Sequence, residues 1–316
     1  MSAVPFETKL LPEPGVMARV EYREIACKSA LNRVAGMPFK WSLNPYRGCV
    51  HSCRYCYARG THRYFDLGVG DDFSSIVFVK INLPETLAHE LSRRTWRRDH
   101  VAVGTATDPY QPAEGRYRLT RRCLETFARF RTPISLVTKG TMVLRDLDVL
   151  QELTRQADAT ICVSIPTVDP AIWRRTEPGT PAPHLRLKAL ERLVAAGVRA
   201  GVLMAPLLPG LSALPEQIAR TARAAANHGA CFIGANVLHL GPDVRDYFFA
   251  FLQQEYPDLL AVYRRLYGTK YPPKRYQTTV ERRVWHAKAA LGYAETRHHR
   301  VEPPPEPVQL ALPLTS

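Results

Sequence analysis

The sequence predicts an α/β fold, an incomplete (β/α)6-type barrel with a C-terminal helical extension. Over residues 36–240, apolar β-type runs alternate with amphipathic helical segments, which is the pattern of βα units and a parallel sheet. From Gly241 the pattern becomes helical and aromatic. A loop with three cysteines follows the first strand, at the barrel edge where chemistry usually gathers. The 316 residues suffice for one large domain and a smaller appendage.

The strands are predicted from short runs that are rich in β-branched or aromatic residues and bounded by turn residues. They cover residues 41–46, 76–81, 101–106, 134–138, 160–165 and 200–205, with a further candidate at 232–238. Helices are predicted between them, at residues 84–97, 120–130, 147–156, 183–196 and 215–228. Pro84 suits the first turn of its helix, where a missing N–H costs little.

The chain divides into four predicted segments. Residues 1–35 form an irregular lead-in, because Pro12, Pro14 and Gly15 interrupt any periodic pattern. Residues 36–240 form the partial barrel, and residues 241–300 form the helical extension, with helices over 246–267 and 280–291. Residues 301–316 form a tail that is too rich in proline to fold alone.

Charge and composition limit the class of protein. The chain has 43 Lys+Arg against 29 Asp+Glu, and the net charge of +14 favours polyanionic partners such as DNA. Arginine clusters lie at residues 93–98, 116–122 and 297–300, although a solvated surface would also carry them. The sequence contains no run of about twenty apolar residues, so no membrane span is predicted. Seven cysteines without a recognisable secretion signal predict a reducing, cytoplasmic location.

The most specific motif is the run of Cys49, Cys53 and Cys56, in a C-x3-C-x2-C spacing. Three thiolates this close together can bind three corners of a 4Fe-4S cube and leave one iron without a protein ligand. An open coordination position on a metal is where cofactor or substrate chemistry takes place. A structural zinc site is the alternative, with His51 as an awkwardly placed fourth ligand.

Together with Tyr55 before the last cysteine, this run resembles the signature of radical S-adenosylmethionine (SAM) enzymes. The resemblance implies a 4Fe-4S cluster whose open iron is chelated by SAM. The reduced cluster would cleave SAM to methionine and a 5′-deoxyadenosyl radical, which abstracts hydrogen from a substrate. The resemblance also implies that Tyr55 lies against the adenine, and that a flavodoxin- or ferredoxin-type protein donates the electron.

Further blocks resemble one branch of these enzymes, the spore photoproduct lyase-like proteins, also described as DNA repair photolyase-like. The blocks are residues 44–49, 104–114, 136–139, 163–165 and 205–210. This resemblance, together with the basic charge, implies that the substrate is DNA and that the reaction repairs or modifies it.

SAM-binding roles follow for these blocks. Lys139, after the fourth strand, would neutralise the SAM carboxylate, and Ser164, at the end of the fifth, would bond the ribose or the carboxylate. Glu177, in the next loop, would bind the ribose hydroxyls. The loop after the third strand would contact the methionyl amino group or the ribose through Thr105, Thr107 and Asp108.

One departure separates this chain from the lyase. In the lyase, a cysteine returns a hydrogen atom to the repaired thymine, and the aligned position here is Gly104. The known lyase reaction is therefore not expected. Tyr57 matches a tyrosine of the lyase's radical relay. Cys162, which shares a strand face with Ser164, is a candidate substitute hydrogen donor.

The tail carries a second short motif, at residues 309–314. The peptide from Gln309 to Leu314 resembles the hexapeptide by which bacterial proteins bind the replicative sliding clamp. An extended peptide would place the glutamine in a small polar pocket and the leucines in an apolar cleft, while the proline-rich residues 303–307 act as a leash. A frayed, leucine-containing end is the alternative.

Three functions stay open at this point. The first is radical SAM chemistry on DNA, delivered by the clamp. The second is the same chemistry on RNA, a peptide or a small molecule. The third is a non-catalytic iron–sulfur or zinc protein that binds nucleic acid or the clamp.

Overall fold

The fold is given by a computed structural model, which describes residues 20–293. The predicted clamp-binding peptide at 309–314 and the basic cluster at 297–300 lie outside these residues. The strands are β1 (Glu21–Ile25), β2 (Asn32–Arg33), β3 (Trp41–Leu43), β4 (Tyr46–Arg47), β5 (Ile76–Lys80), β6 (Val101–Val103), β7 (Ile134–Thr138), β8 (Ala159–Ser164), β9 (Arg199–Leu207) and β10 (Ile233–Val237).

The helices lie mainly between the strands of the main sheet and after the last one. They are α1 (Asp72–Ser75), α2 (Leu83–Leu91), α3 (Ala113–Tyr117), α4 (Leu119–Arg129), α5 (Leu147–Gln156), α6 (Pro170–Thr176), α7 (Pro183–Ala195), α8 (Pro215–Asn227), α9 (Pro242–Glu255), α10 (Pro257–Leu266) and α11 (Lys274–Ala289), with 3-10 helices at Tyr57–Phe65 and Thr141–Asp146.

The main sheet has the strand order β10-β9-β8-β7-β6-β3-β2. All neighbouring pairs from β3 to β10 are parallel, and only β2 at the edge runs antiparallel. The crossovers between the parallel strands are helical, as a parallel sheet requires. The prediction of an α/β fold with an incomplete six-stranded (β/α) barrel is confirmed.

The second predicted strand was placed in the wrong sheet. Residues 76–80 do form a strand, but β5 pairs with β1 and β4 in a separate three-stranded sheet. In the barrel, β3 therefore pairs directly with β6. The sequence of β5 resembles that of a barrel strand because β5 is also buried. Val77 and Val79 pack with Tyr46 and Leu119 in a separate small core.

The lead-in, expected to be irregular, contains β1 and β2 within its described part. β1 has the sequence Glu-Tyr-Arg-Glu-Ile and is largely exposed, so it lacks the apolar alternation that marks a strand. Its strand conformation comes from pairing with β5, which is a nonlocal contact.

The helical extension is divided differently from the prediction. The segment expected to be one helix over 246–267 is two helices, α9 and α10, with the break at Tyr256 and Pro257. Pro257 has no N–H and its ring clashes with the preceding turn, so it opens a new helix. Helix α2 ends at Leu91 rather than near residue 97, and α11 begins at Lys274 rather than near 280.

Alternation along the strands separates the core from the barrel interior. On β8, Ile161 and Val163 belong to the main hydrophobic core, which the helices cover. Cys162 and Ser164 therefore face the opposite side, the interior of the barrel. The carboxyl ends of β6, β7 and β8 meet at one mouth of this interior. No helix within residues 20–293 is long and apolar enough to cross a bilayer.

Candidate active site

The cysteine loop begins directly after β4, at the mouth of the barrel. Cys49 and Cys53 are buried and Cys56 is partly buried. Arg59, which is fully buried, holds the loop by donating from Nε to the carbonyl of Cys53 at 3.0 Å. Its Nη1 also donates to the carbonyls of Val69 and Gly70, at 2.9 and 2.8 Å. These hydrogen bonds from Arg59 hold the backbone of the cysteine loop, or thiol loop, in place.

The three thiols form a coherent donor set. Burial is the main cause that raises the pKa of Cys53 and of Cys56, and Cys49 raises both further. A thiolate at these positions needs a strongly positive partner, which iron supplies, and thiolate is the ligand that iron–sulfur clusters use. Within the described residues no three ligand side chains are already gathered into a metal site. Cluster binding therefore rests on the donor chemistry and the spacing.

Thr107 supports the cysteine loop. Its Oγ1 donates to the carbonyl of Gly48 at 2.8 Å and accepts from Gln111 Nε2 at 2.9 Å. The Gln111 amide also donates to Gly48 and accepts from the amide of Val50, at 3.1 and 3.2 Å. The hydroxyl of Thr107 is thus bonded to the loop. Gln111, which was not predicted as a site residue, also binds the carbonyl of Gly48.

Asp108 is buried and joins the cysteine loop to the end of β7. It accepts hydrogen bonds from Thr138 Oγ1 and the Lys139 amide, both at 2.6 Å, and His51 Nδ1 lies 3.2 Å from its Oδ2. Burial alone would raise the pKa of Asp108, but His51 and these hydrogen bonds lower it to about 2. Burial would lower the pKa of His51, but Asp108 beside it raises it to about 10. His51 is therefore paired with Asp108 through its Nδ1.

Thr105 lies on the loop after β6. Its Oγ1 accepts from Asn44 Nδ2 at 3.3 Å, and Asn44 Oδ1 also accepts from the amide of Ala106 at 2.8 Å. The carbonyl of Thr105 accepts a hydrogen bond from the hydroxyl of Tyr57, whose ring is half-exposed. Thr105 and Tyr57 are therefore adjacent, although Thr105 was predicted to bind SAM and Tyr57 to belong to a radical relay.

Four predicted site residues from four separate segments form one polar network beside the cysteines. The hydroxyl of Tyr55 donates to Glu177 Oε1, and Lys139 Nζ lies 3.4 Å from the same oxygen. Lys139 Nζ also donates to Ser164 Oγ at 2.5 Å. Burial would raise the pKa of Glu177, but the charges of Arg186 and Lys139 lower it to about 2. The network therefore places the carboxylate of Glu177, ionised at neutral pH, and the ammonium group of Lys139 close enough to bind the same ligand.

Arg186 completes this network and was not predicted. The side chain, on α7, is 1% exposed, and its Nη2 donates to Glu177 Oε2 at 2.5 Å and to Thr180 Oγ1 at 2.8 Å. Nη1 donates to the carbonyl of Ser164 and Nε to that of Pro181, at 2.8 and 2.7 Å. A sequence signal existed, because Arg186 occupies the buried stripe of α7 that continues at Leu187, Leu190 and Leu193.

Cys162 lies inside the barrel, as its alternation with Ser164 predicts. It is two residues before Ser164 on β8, and its register partner on β7 is Val137. Burial raises the pKa of the Cys162 thiol to about 11, so the S–H group persists at neutral pH. The thiol therefore lies one layer deeper in the barrel than the hydroxyl of Ser164.

Gly104 has a structural reason to be glycine. It follows β6 with φ +84°, in the left-handed region that favours glycine. A Cβ here would lie 2.5 Å from the carbonyl oxygen of Val137 and 2.6 Å from Pro109 Cδ. A cysteine cannot occupy this position without displacing backbone, so this chain excludes a thiol hydrogen donor at Gly104.

Replacing Gly104 with alanine should destabilise the protein by about 2–4 kcal/mol, because left-handed strain adds to a collision with backbone. The matched control is Gly197→Ala. Gly197 has φ +78°, but an added Cβ would meet no atom within 4 Å, so only strain of about 1 kcal/mol applies. Thermal unfolding midpoints of the two variants measure the difference. Equal midpoints would contradict the steric argument.

Comparison with known proteins agrees with this geometry. Residues 43–225 match the model of the radical SAM superfamily. An uncharacterized protein of Mycobacterium tuberculosis is 41% identical over 289 residues, covering 90% of this chain and 84% of that protein. A radical SAM Nalpha-GlyT isomerase of Pseudomonas phage M6 is 24% identical over 169 residues, covering 53% of this chain and 33% of the isomerase.

Among solved structures, a spore photoproduct lyase mutant with bound AdoMet and dinucleoside spore photoproduct has a similar fold. Its TM-score is 0.67 at 15% sequence identity, over 85% of this chain and 79% of the lyase. At this identity the likeness concerns the fold alone. Membership of the family implies SAM and a 4Fe-4S cluster as cofactors, and the thiol loop with its adjoining polar network has the donor groups for both. The family match over more than half of the chain, with the cysteine loop at the mouth of the partial barrel, shows that this protein belongs to the radical SAM superfamily and is a radical SAM enzyme.

Proposed function

We propose that the protein uses a 4Fe-4S cluster on Cys49, Cys53 and Cys56 to cleave SAM and modify or repair DNA. The observation that carries the chemistry is the polar network of Tyr55, Lys139, Ser164 and Glu177, which adjoins the thiol loop. When bound, the cluster and SAM supply a reductively formed radical that abstracts hydrogen from a substrate. The residues of the chain bind, orient and enclose these groups.

Each network residue has a proposed place in SAM binding. Lys139 pairs with the SAM carboxylate, and Tyr55 lies against the adenine, with Lys139 Nζ 6.0 Å from its ring centroid. Glu177, ionised at neutral pH, accepts from the ribose hydroxyls or the amino group. Ser164 lies between them, at the end of β8. Thr105 extends the site, whereas Thr107 and Asp108 act by holding the thiol loop.

The DNA substrate is supported by two observations. The net charge of +14 favours a polyanion. The structurally similar lyase was solved with a dinucleoside photoproduct, and the fold is shared over most of both chains. Because Gly104 has no side chain, it cannot return a hydrogen atom to the product as the lyase's cysteine does. Cys162, inside the barrel, is the proposed hydrogen-atom donor instead. The clamp-binding peptide at 309–314 would bring the enzyme to replicating DNA, and it stays a prediction from the sequence.

The test has two stages. The protein is purified without oxygen, reconstituted with iron and sulfide, and incubated with SAM and dithionite. We expect 5′-deoxyadenosine to form. Fluorescent DNA is then titrated at two salt concentrations, and affinity should fall steeply as salt rises, because released counterions drive the binding. Binding that is absent or insensitive to salt would favour a peptide or small-molecule substrate. Absence of 5′-deoxyadenosine with a full cluster would remove the proposed chemistry.

A further inference from the structure

Three aromatic side chains form a ladder across the mouth of the barrel, consisting of Tyr57, His239 and Tyr271. The ring centroids of Tyr57 and His239 are 5.3 Å apart with an interplanar angle of 38°. Those of His239 and Tyr271 are 5.6 Å apart with an angle of 37°. Tyr57 directly follows Cys56, so one end of the aromatic ladder starts at the thiol loop. The other end lies between α10 and α11.

The ladder is held in place by backbone contacts. The hydroxyl of Tyr57 donates to the carbonyl of Thr105, which follows β6. One residue after His239, the amide of Leu240 donates to the carbonyl of Lys270 at 2.8 Å. This hydrogen bond joins the segment after β10 to the segment that carries Tyr271. The rings are therefore positioned before any ligand arrives, which reduces the entropy lost on binding.

The two outer rings of the ladder are about half exposed to solvent, so they are not ordinary core residues. Tyr57 is 46% exposed and Tyr271 is 52% exposed. Burial and the charge of Lys270 lower the pKa of His239, so its ring is neutral at physiological pH. Lys270 Nζ lies 5.3 Å from the centroid of the Tyr271 ring. The end of the ladder thus combines flat, uncharged rings with a cation.

We propose that the aromatic ladder stacks an unpaired base of single-stranded DNA next to the reacting nucleotide, with Lys270 meeting the backbone phosphate. The proposal rests on DNA being the substrate. Aromatic rings stack on any base, and an adjacent cation recognises the phosphate, which is the usual combination in single-strand binding. The strongly positive chain complements a polyanion. Because Tyr57 adjoins Cys56, a base on the ladder would fix the register of the strand at the thiol loop.

The test measures binding of a labelled oligodeoxythymidine to the reconstituted protein by fluorescence anisotropy. Tyr271→Ala should weaken binding by about tenfold, as loss of one stacked base predicts, and Tyr271→Phe should bind like the wild type. The matched control is Tyr64→Ala, since Tyr64 is 81% exposed and lies outside the ladder. This control should bind normally. With an oligonucleotide of abasic sites, Tyr271→Ala and the wild type should bind equally, because no base is left to stack.

The outcomes separate this inference from the proposed function. If the wild type fails to bind DNA at either salt concentration, the DNA substrate is wrong. If the wild type binds but Tyr271→Ala and Tyr64→Ala behave alike, the ladder is wrong while the DNA substrate stands. Equal loss on the abasic oligonucleotide would also overturn stacking. Tighter, Tyr271-dependent binding of oligouridine RNA would assign the ladder to RNA instead.

Discussion

Replacing any one of Cys49, Cys53 and Cys56 with alanine should abolish formation of 5′-deoxyadenosine. Three thiolates are the smallest set that can hold a 4Fe-4S cube and leave one iron open, so two remaining thiolates cannot retain it. Iron bound after anaerobic reconstitution should fall from about four atoms per chain to a small fraction of that value. Iron analysis, the visible absorbance of the cluster and product chromatography measure the three consequences separately.

The matched control is Cys231→Ala, because Cys231 is exposed and distant in sequence from the thiol loop. It should keep its iron and its activity. Loss of iron in Cys231→Ala to the same extent would show that the motif does not define the ligands. Zinc in place of iron in the wild type would favour the structural alternative.

Replacing Arg186 with methionine should destabilise the protein by about 3–5 kcal/mol, because it removes the closer of the two cations that pair with the buried carboxylate of Glu177. Glu177 would lose the donor at 2.5 Å, and three further acceptors, including the carbonyl of Ser164, would lose theirs. The same change should weaken SAM binding at least tenfold, since Glu177 and Ser164 would no longer be held beside Lys139. Thermal unfolding and calorimetric titration with SAM measure the two effects.

The control for Arg186 is an ion pair of similar length at the surface. Arg220 Nη2 lies 2.7 Å from Asp169 Oδ2, but Arg220 is half-exposed, so Arg220→Met should cost less than about 1 kcal/mol. Arg186→Lys serves as a second variant if methionine prevents folding. It keeps the charge but cannot donate to all four acceptors, so it should fold and still bind SAM weakly. Wild-type SAM affinity in Arg186→Lys would contradict the positioning role.

The pH dependence of the Arg186 effect has a definite sign. The pKa of Glu177 is lowered from 4.5 to about 2 in the folded protein. Its paired carboxylate therefore contributes stability at pH values above 4.5, and that contribution is lost as the pH falls toward 2. The stability difference between the wild type and Arg186→Met should shrink across this interval in the metal-free protein. A constant difference would show that Glu177 is not the group through which Arg186 acts.

Much of the fold could be predicted because its signals are local. The strand over residues 134–138 was predicted with its observed bounds, as was the helix over 147–156, since short apolar runs and amphipathic periodicity mark them. The order of the strands could not be predicted in the same way. β5 has the sequence of a buried strand, but nothing in that sequence states which sheet it joins. That choice depends on the pairing of β5 with β1 and β4. β1 is distant from β5 in the chain, and β4 has only 2 residues, too few to be recognised as a strand.

The site was predicted unevenly for the same reason. Lys139 and Ser164 could be proposed from the sequence because they directly follow or end strands, where a barrel collects its functional side chains. Arg186 was not predicted because only its position on the apolar face of α7 distinguishes it from the other basic residues, among 43 Lys+Arg in total. The ladder of Tyr57, His239 and Tyr271 has no sequence signature, because its three members lie on separate segments.

The sequence alone is enough to predict the cluster ligands of this protein. The spacing of the three cysteines within one short loop is a local property, so the donor set for a cluster follows from the order of residues alone. The side chains that surround these ligands follow only from the tertiary structure. Tyr55 and Glu177 are 122 residues apart in the chain, and they meet only because the loop after β4 and the segment after β8 come together at one mouth. Such convergence depends on sheet order and on the burial of groups such as Arg186, which are nonlocal and have no counterpart in a sequence pattern.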